Sequence, residues 1–185
     1  NKIFTSQSQK NNLIYEKCKP YDPDINTCKN NWHATGSLQW GNLYEPLSIM
    51  FYELLNNTTV SDFGCIVHDK YKYIGASPDG INTNPNSHLY GRMVEVKNIV
   101  NRDITGIPKD DYWVQTQIQM ETCNLEECDF IETRFKEYDN PDDFFQDTTT
   151  KQRGIILCFI EKDIINSPPT YVYSNLNMDI SKNII

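Results

Sequence analysis

The order of the predicted secondary structure elements indicates an α/β fold in which a mixed central β-sheet is flanked by helices. Three observations lead to this prediction. A helical repeat of apolar residues fills residues 37–57, three strand patterns follow between residues 63 and 98, and a second helix then precedes further strands. The length of 185 residues suits one core domain, which we expect over residues 37–185. The polar residues 1–36 predict a loosely structured N-terminal arm, incomplete if the natural chain extends upstream of Asn1.

The first helix is predicted from apolar residues at helical spacing, namely Leu43, Leu47, Met50, Phe51, Leu54 and Leu55. Pro46 is tolerated in the first turn of a helix that begins beside it, and it would kink a helix that begins at Ser37. Glu45 therefore lies at the start of a helix or at a kink.

Three strands are predicted next. The segments FGCIVHD and YKYIGAS form a hairpin, with His68, Asp69 and Lys70 as its tight turn. INTNPNSH has the composition of a loop, and RMVEVKN has the alternation of a third strand.

The second half of the chain predicts a helix in DDYWVQTQIQMETCN, capped by Asp110 or Asp111. Two more strands are expected in DFIETRFKEY and RGIILCFIEKD, separated by the acidic loop DNPDDFFQDTTTK. Cys158 lies in the apolar run GIILCFI and is expected to be a buried core residue. The other thiols offer two zinc candidates whose spacings match no standard pattern, Cys18 with Cys28 and His33, or Cys123 with Cys128.

The charge balance argues against a simple basic coat for nucleic acid, because 25 acidic residues outnumber 17 basic ones and the formal net charge is −8. A nucleic-acid enzyme fits this balance, since carboxylates that hold divalent metal ions count as negative until the ions are added. The sequence has neither an apolar run of about 20 residues nor a signal peptide. We therefore expect an intracellular protein with free thiols and no membrane partner.

The clearest chemical signal is a pair of acids with a lysine. In VEVKN the period of a strand places Glu95 and Lys97 on one face, a pattern that an ordinary half-exposed strand also produces. Asp79 in the turn SPDG lies at the end of the preceding strand, so strand pairing would place it beside Glu95. Two neighbouring carboxylates repel each other unless a proton or a cation lies between them, and magnesium prefers such oxygen ligands. Lys97 would then address a water or a phosphate beside the metal.

The helix after this strand provides a second signal. Tyr112, Gln115 and Gln119 share one face at spacings of three and four residues. The glutamines either face water or form a buried polar ladder beside a metal site.

The four segments WGNLYE, SPDG, VEVK and YWVQTQIQM, in this order, resemble the lambda-exonuclease-like or YqaJ-type viral recombinase branch of the PD-(D/E)xK nuclease superfamily. The resemblance covers roughly residues 38–163. It implies a restriction-endonuclease-like core and a magnesium-dependent exonuclease acting on linear duplex DNA in viral recombination, repair or genome processing. It also implies one or two magnesium ions, replaceable by manganese, and a host cytoplasmic or nuclear location if the protein is viral.

The resemblance also assigns roles to matched residues. It implies a metal held by Asp79, Glu95, Glu45 and the backbone carbonyl of Val96, with Lys97 and Gln115 positioning the attacking water. Tyr112 and Gln119 would contribute to substrate binding. A single-strand-annealing protein and a ring-shaped homo-oligomer are further implied partners.

One departure from the family pattern concerns the 5′-phosphate. Relatives carry an arginine and a serine upstream of the helical acid, whereas residues 1–36 contain no arginine. The basic residues that could replace it are Lys17, Lys19, Lys29, Arg92 and Arg102. Three alternatives therefore stay open: an endonuclease or an RNase that uses the same metal site, or an inactive nucleic-acid-binding domain.

Overall fold

The computed structural model describes residues 6–18, 36–161 and 169–176. Its helices are α1 (Gln7–Cys18), α2 (Ser37–Asn56), α3 (Asp110–Cys123) and α4 (Pro141–Gln146). Its strands are β1 (Val60–Ser61), β2 (Ile66–Val67), β3 (Gly75–Ala76), β4 (Gly80–Asn82), β5 (Met93–Asn98), β6 (Cys128–Thr133), β7 (Ile156–Phe159) and β8 (Thr170–Tyr173). The chain divides into two compact units, residues 1–34 with 161–168 and residues 35–160 with 169–185.

The first unit contains α1, which is a helix within the segment predicted to be a loosely structured arm. No helix in the described part of the chain is both long and apolar enough to cross a membrane.

The second unit is built on a four-stranded mixed sheet, as predicted. Its strand order is β1-β4-β5-β6, in which β4 is antiparallel to β1 and β5, whereas β5 and β6 are parallel. The parallel register runs from Met93 opposite Cys128 to Asn98 opposite Thr133. A crossover through α3 joins the two parallel strands, because parallel neighbours cannot be linked by a tight hairpin.

Helix α2 packs against β5 and forms the core beside it. The apolar residues of this core are Tyr52, Leu89, Val94 and Val96, with Ile49, Val60 and Ile131 packed around them. The helix continues through Pro46 and ends at Asn56, and the C-cap Asn57 has a left-handed φ of +47°. Of the two starts considered for this helix, the structure therefore has the earlier one, at Ser37.

The predicted hairpin is present, since β2 and β3 pair with Ile66 opposite Ala76, and it packs against α3. Its tight turn at His68, Asp69 and Lys70 was wrongly predicted, because residues 68–74 all lie between the two strands and Tyr71–Tyr73 belong to this connection rather than to a strand. Strands β1 and β4 were not predicted, because two or three residues are too few for a period to be visible. The segment predicted as an acidic loop contains α4, which Asn140 caps by accepting a hydrogen bond from the Asp143 N–H at 2.9 Å.

The prediction that Cys158 is a buried core residue is wrong. It lies on β7, which pairs with β8 in a separate two-stranded sheet, and its side chain is exposed. Leu157 and Phe159 beside it are 51% and 55% exposed. An apolar run predicts burial only when other layers cover both faces of its strand, and such a small sheet lacks that cover.

Candidate active site

Asp79 is held at the junction between two paired strands. Gly80 opens β4 opposite Val94, and Asp79 directly precedes it. The Oδ2 atom of Asp79 accepts a hydrogen bond from the Val96 backbone N–H at 2.6 Å. A Cβ atom at Gly80 would approach Val60 Cγ1 to 2.2 Å, so any larger residue here would have to displace the Val60 side chain. The Val96 hydrogen bond therefore fixes the carboxylate beside β5, where it was expected, but the strand that pairs with β5 is β4 after Asp79 and not the preceding strand β3.

Glu95 on β5 is fully buried and accepts hydrogen bonds from three side chains. Its Oε1 atom accepts hydrogen bonds from Lys97 Nζ and, at 2.6 Å, from Gln115 Nε2. Its Oε2 atom accepts one from Gln119 Nε2 at 3.0 Å, and the same nitrogen donates to the Ser77 carbonyl at 3.2 Å. Three donors stabilise a carboxylate that burial alone would disfavour.

Helix α3 turns a polar face inward to make these contacts. Gln119 and Thr116 are buried, whereas Trp113 and Ile118 are 54% and 46% exposed. Gln115 and Gln119 thus form the polar ladder at the site, whereas Gln117 on another face is exposed. The predicted N-cap differs slightly, since Lys109 occupies the cap position and Asp110 lies in the first turn.

Glu45 joins these acids electrostatically from α2. Its pKa is raised by burial and then by the Glu95 charge, against the opposing effect of Lys97. Burial, followed by repulsion from Glu95, raises the pKa of Asp79 from 3.8 to about 7, although the Val96 N–H bond opposes the shift. Three carboxylates, from α2, from β5 and from the turn before β4, therefore share one region in which a cation would relieve their repulsion.

The donors in this region fit a hard divalent cation. Glu45 and Asp79 both line an open cleft of about 570 Å³. The Gln119 Oε1 atom is buried and has no hydrogen-bond partner within the described chain, which leaves an acceptor for a bound water. Among the described residues, no three His, Cys, Asp or Glu side chains already converge tightly enough to hold an ion. Magnesium tolerates this, because it is commonly bound by one or two carboxylates and keeps several waters.

Lys97 and a second cation, Arg102, both lie beside the ring of Tyr112 on α3. Lys97 Nζ is 5.2 Å from the centre of its ring, and Arg102 Cζ is 5.9 Å from it. The Arg102 guanidinium also pairs with Glu132. Tyr112 therefore links Arg102 to the lysine of the site by cation–π contacts.

Arg92 lies in a different network. It pairs with Glu127 at 2.8 Å and with Asp129 at 3.0 Å, and Asp129 also accepts the Tyr52 hydroxyl proton at 2.6 Å. Its charge is thus neutralised by Asp129 on β6 and by Glu127 just before that strand.

The side chains of Lys17, Lys19 and Lys29 lie outside the described residues, as do Cys28 and His33. For the second zinc candidate, burial raises the pKa of the Cys128 thiol to about 12, which opposes the thiolate form that binds zinc.

Sequence reasoning missed a buried network that holds α2 against the strand ends. Ser48 Oγ donates to Asn98 Oδ1 at 2.7 Å and lies 2.7 Å from Thr133 Oγ1. Asn98 Nδ2 donates to the Gly41 carbonyl at 2.9 Å. Ser48 follows Glu45 by three residues and Asn98 directly follows Lys97, so the network connects the backbones that carry the site. In the sequence, the only indication of this network is that Ser48 lies near Glu45 and that Asn98 lies next to Lys97.

Known proteins share sequence similarity with this chain. A family model described as the YqaJ-like viral recombinase domain matches residues 2–126. An uncharacterized protein of Acanthamoeba polyphaga mimivirus is 34% identical over 149 residues, which are 69% of this chain and 27% of that protein. This chain thus spans about a quarter of the length of that curated relative.

Solved structures show the same fold. The alkaline exonuclease LHK-Exo from Laribacter hongkongensis aligns with a TM-score of 0.53 at 24% identity, over 76% of this chain and 67% of the other. LHK-Exo in complex with dAMP gives a TM-score of 0.52 at 24% identity, over 75% and 66%. The restriction-endonuclease-like core predicted from the sequence is therefore present.

Proposed function

The chain belongs to the YqaJ-like viral recombinase domain family, and from this premise we propose that it is a magnesium-dependent nuclease that degrades linear duplex DNA from an end. The observation that carries the proposal is the shared electrostatic region of Glu45, Asp79 and Glu95, with Lys97 bound to one of these acids. The structural similarity to LHK-Exo, an alkaline exonuclease crystallised with dAMP, supports the choice of a DNA substrate.

In this proposal Asp79, Glu95, Glu45 and the Val96 carbonyl hold magnesium, or manganese in its place. The bound ion would lower the pKa of a water and neutralise charge on the phosphate. Asp79 would lose its proton as the cation enters, since repulsion within the cluster is part of what raises its pKa. The one lone pair of Glu95 Oε2 not used by Gln119 remains for a ligand bond.

Lys97 and Gln115 would orient the attacking water. Both donate to Glu95 Oε1, so their nitrogens lie side by side at the edge of the acid cluster. The water oxygen would bond to phosphorus as the bond to the leaving nucleotide oxygen breaks. Hydrogen-bond donors held in fixed positions near the reacting phosphate, such as Lys97 and Gln115, would stabilise the negative charge that develops on its oxygens.

End-labelled linear duplex, closed circular and single-stranded DNA, each incubated with magnesium, test the proposal. We expect release of nucleotides from the linear duplex, no cleavage of the circle, and no activity in EDTA. Paired substrates with a 5′-phosphate or a 5′-hydroxyl then test end recognition, with the phosphorylated end cut faster. Nicking of the circle together with equal rates on both ends would instead make this an endonuclease, and cleavage confined to RNA would make it an RNase.

The partners are also proposals. We expect a homo-oligomer and a single-strand-annealing protein that receives the strand left by digestion. Size-exclusion chromatography with light scattering tests the first. Binding to an annealing protein encoded by the same genome tests the second.

A further inference from the structure

An exposed turn joins β2 to β3 in the hairpin that leads to Asp79. Its residues Lys70, Tyr71, Lys72 and Tyr73, here called the hairpin tip, alternate cationic and aromatic side chains. All four are exposed, and Tyr73 is 85% exposed. A large aromatic ring left in water costs free energy that a partner could recover.

His68 holds the hairpin tip in one backbone conformation. Its buried Nδ1 atom accepts hydrogen bonds from the backbone N–H groups of Lys70 at 3.0 Å and Tyr71 at 3.3 Å. Its own backbone N–H donates to the Ile74 carbonyl at 3.0 Å, and its ring meets that of Tyr71 edge-on at 5.1 Å. The tip is therefore ordered before any partner arrives, which reduces the entropy cost of binding.

The hairpin tip is also close to the proposed nuclease site. Tyr73 precedes Asp79 by six residues, so their Cα atoms are at most about 20 Å apart. That limit corresponds to about six nucleotides at the rise of a DNA strand. The hairpin packs against α3, which supplies Gln115 and Gln119 to the acid cluster.

We propose that the hairpin tip binds single-stranded DNA beside the proposed nuclease site, with Lys70 and Lys72 on phosphates and the Tyr73 ring stacked on a base. This inference rests on the proposed function. Neither lysine forms an ion pair within the described residues, although Lys70 Nζ lies 5.3 Å from the Tyr71 ring centre. In a chain of net charge −8, unpaired cations beside an exposed ring are the groups suited to nucleic acid.

The choice of a single strand follows from the Tyr73 ring. A base can stack on an aromatic side chain only when its neighbour in the duplex does not cover it. Digestion of one strand from an end exposes such bases next to the cleavage site.

Fluorescence anisotropy with a labelled oligothymidine, in EDTA and over a series of salt concentrations, tests the inference with the full chain. The double variant Lys70→Gln/Lys72→Gln should reduce the slope of log affinity against log salt by about 1.4, since each single-strand phosphate contact contributes about 0.7. Tyr73→Ala should weaken binding at least about 5-fold with little change of slope, and Tyr73→Phe should restore it.

A matched control removes the same charge elsewhere, through exposed Lys136 and Lys151 as Lys136→Gln/Lys151→Gln. The inference is overturned if this control loses as much of the salt-dependence slope as the double variant at the hairpin tip. It is also overturned if the tip variants bind the oligothymidine as tightly as the unaltered protein, or if they lose affinity only for duplex DNA. Cleavage of linear duplex by the unaltered protein is measured in parallel with magnesium. Absence of cleavage counts against the proposed function, whereas cleavage with normal single-strand binding by the tip variants counts against the hairpin tip alone.

Discussion

Replacing Asp79 by asparagine should make the metal-free protein more stable at neutral and alkaline pH while abolishing cleavage. Burial and the Glu95 charge raise the pKa of Asp79 to about 7, so the ionised carboxylate is unfavourable in the folded chain. The amide oxygen of the asparagine would still accept the hydrogen bond from the Val96 N–H, which Asp79 Oδ2 now accepts at 2.6 Å. The substitution therefore removes the charge and retains the hydrogen bond.

The pKa shift sets the size and sign of this effect. A carboxyl group whose pKa is higher in the folded than in the unfolded state binds more protons when folded, so stability falls as pH rises between the two values. Between the ordinary value of 3.8 and about 7, the loss is up to about 4 kcal/mol at 1.36 kcal/mol per unit. For a protein of this size, that difference corresponds to roughly 10 °C in Tm. Asp79→Asn should thus match the unaltered protein near pH 4 and exceed it by about this amount at pH 8.

Thermal unfolding in EDTA from pH 4 to pH 8 measures the effect. The control Asp69→Asn changes an exposed aspartate outside the cleft and should follow the unaltered protein. Added magnesium should then stabilise the unaltered protein at pH 8 and have little effect on Asp79→Asn. If the Tm values of the unaltered protein and of Asp79→Asn change with pH in parallel, then ionisation of Asp79 is not what destabilises the acid cluster, and the argument is refuted.

Three further predictions address roles within the site. Lys97→Ala should lower kcat by at least about 100-fold but keep its affinity for magnesium, measured by calorimetry. Glu95→Ala should lose both cleavage and magnesium affinity. An equal loss of magnesium affinity in the two variants would contradict the roles of Lys97 and Glu95. Asn98→Ala breaks the bonds to Ser48 and Gly41, so the magnesium needed for half-maximal cleavage should rise while Tm falls by only a few degrees. An unchanged magnesium requirement would exclude this positioning role. Calcium should support DNA binding without turnover, because its looser coordination misplaces the water, and efficient turnover with calcium would point to another mechanism.

The sequence predicted the parts of the site that depend on local geometry. The two-residue period of β5 places Glu95 and Lys97 on one face, and the helical period of α3 brings Gln115 and Gln119 to the same carboxylate. Asp79 follows from turn chemistry in the same way. Which of these side chains share a face is set within a few residues of chain, where backbone geometry alone determines direction.

The parts that were missed depend on contacts between distant segments. Ser48 meets Asn98 across 50 residues and Thr133 across 85, and no period in the chain relates them. The prediction that Cys158 is buried was wrong for the same reason, since its burial depends on how many layers cover β7 rather than on the apolar run around it. The charge state of Asp79 likewise depends on burial and on Glu45 and Glu95 at once.

The two carboxylates that β4 and β5 bring together, Asp79 and Glu95, differ in how fully they are satisfied, and this difference determines where a cation is needed. Glu95 has three side-chain donors on its two oxygens, whereas the hydrogen bond that opposes the shift at Asp79 is a single backbone N–H. The three donors therefore offset the burial of Glu95, and the repulsion between the assembled acids contributes to raised pKa values at Asp79 and Glu45. Only a proton or a cation on Asp79 relieves that repulsion. In the folded protein, Asp79 can therefore exchange a bound proton for a bound cation.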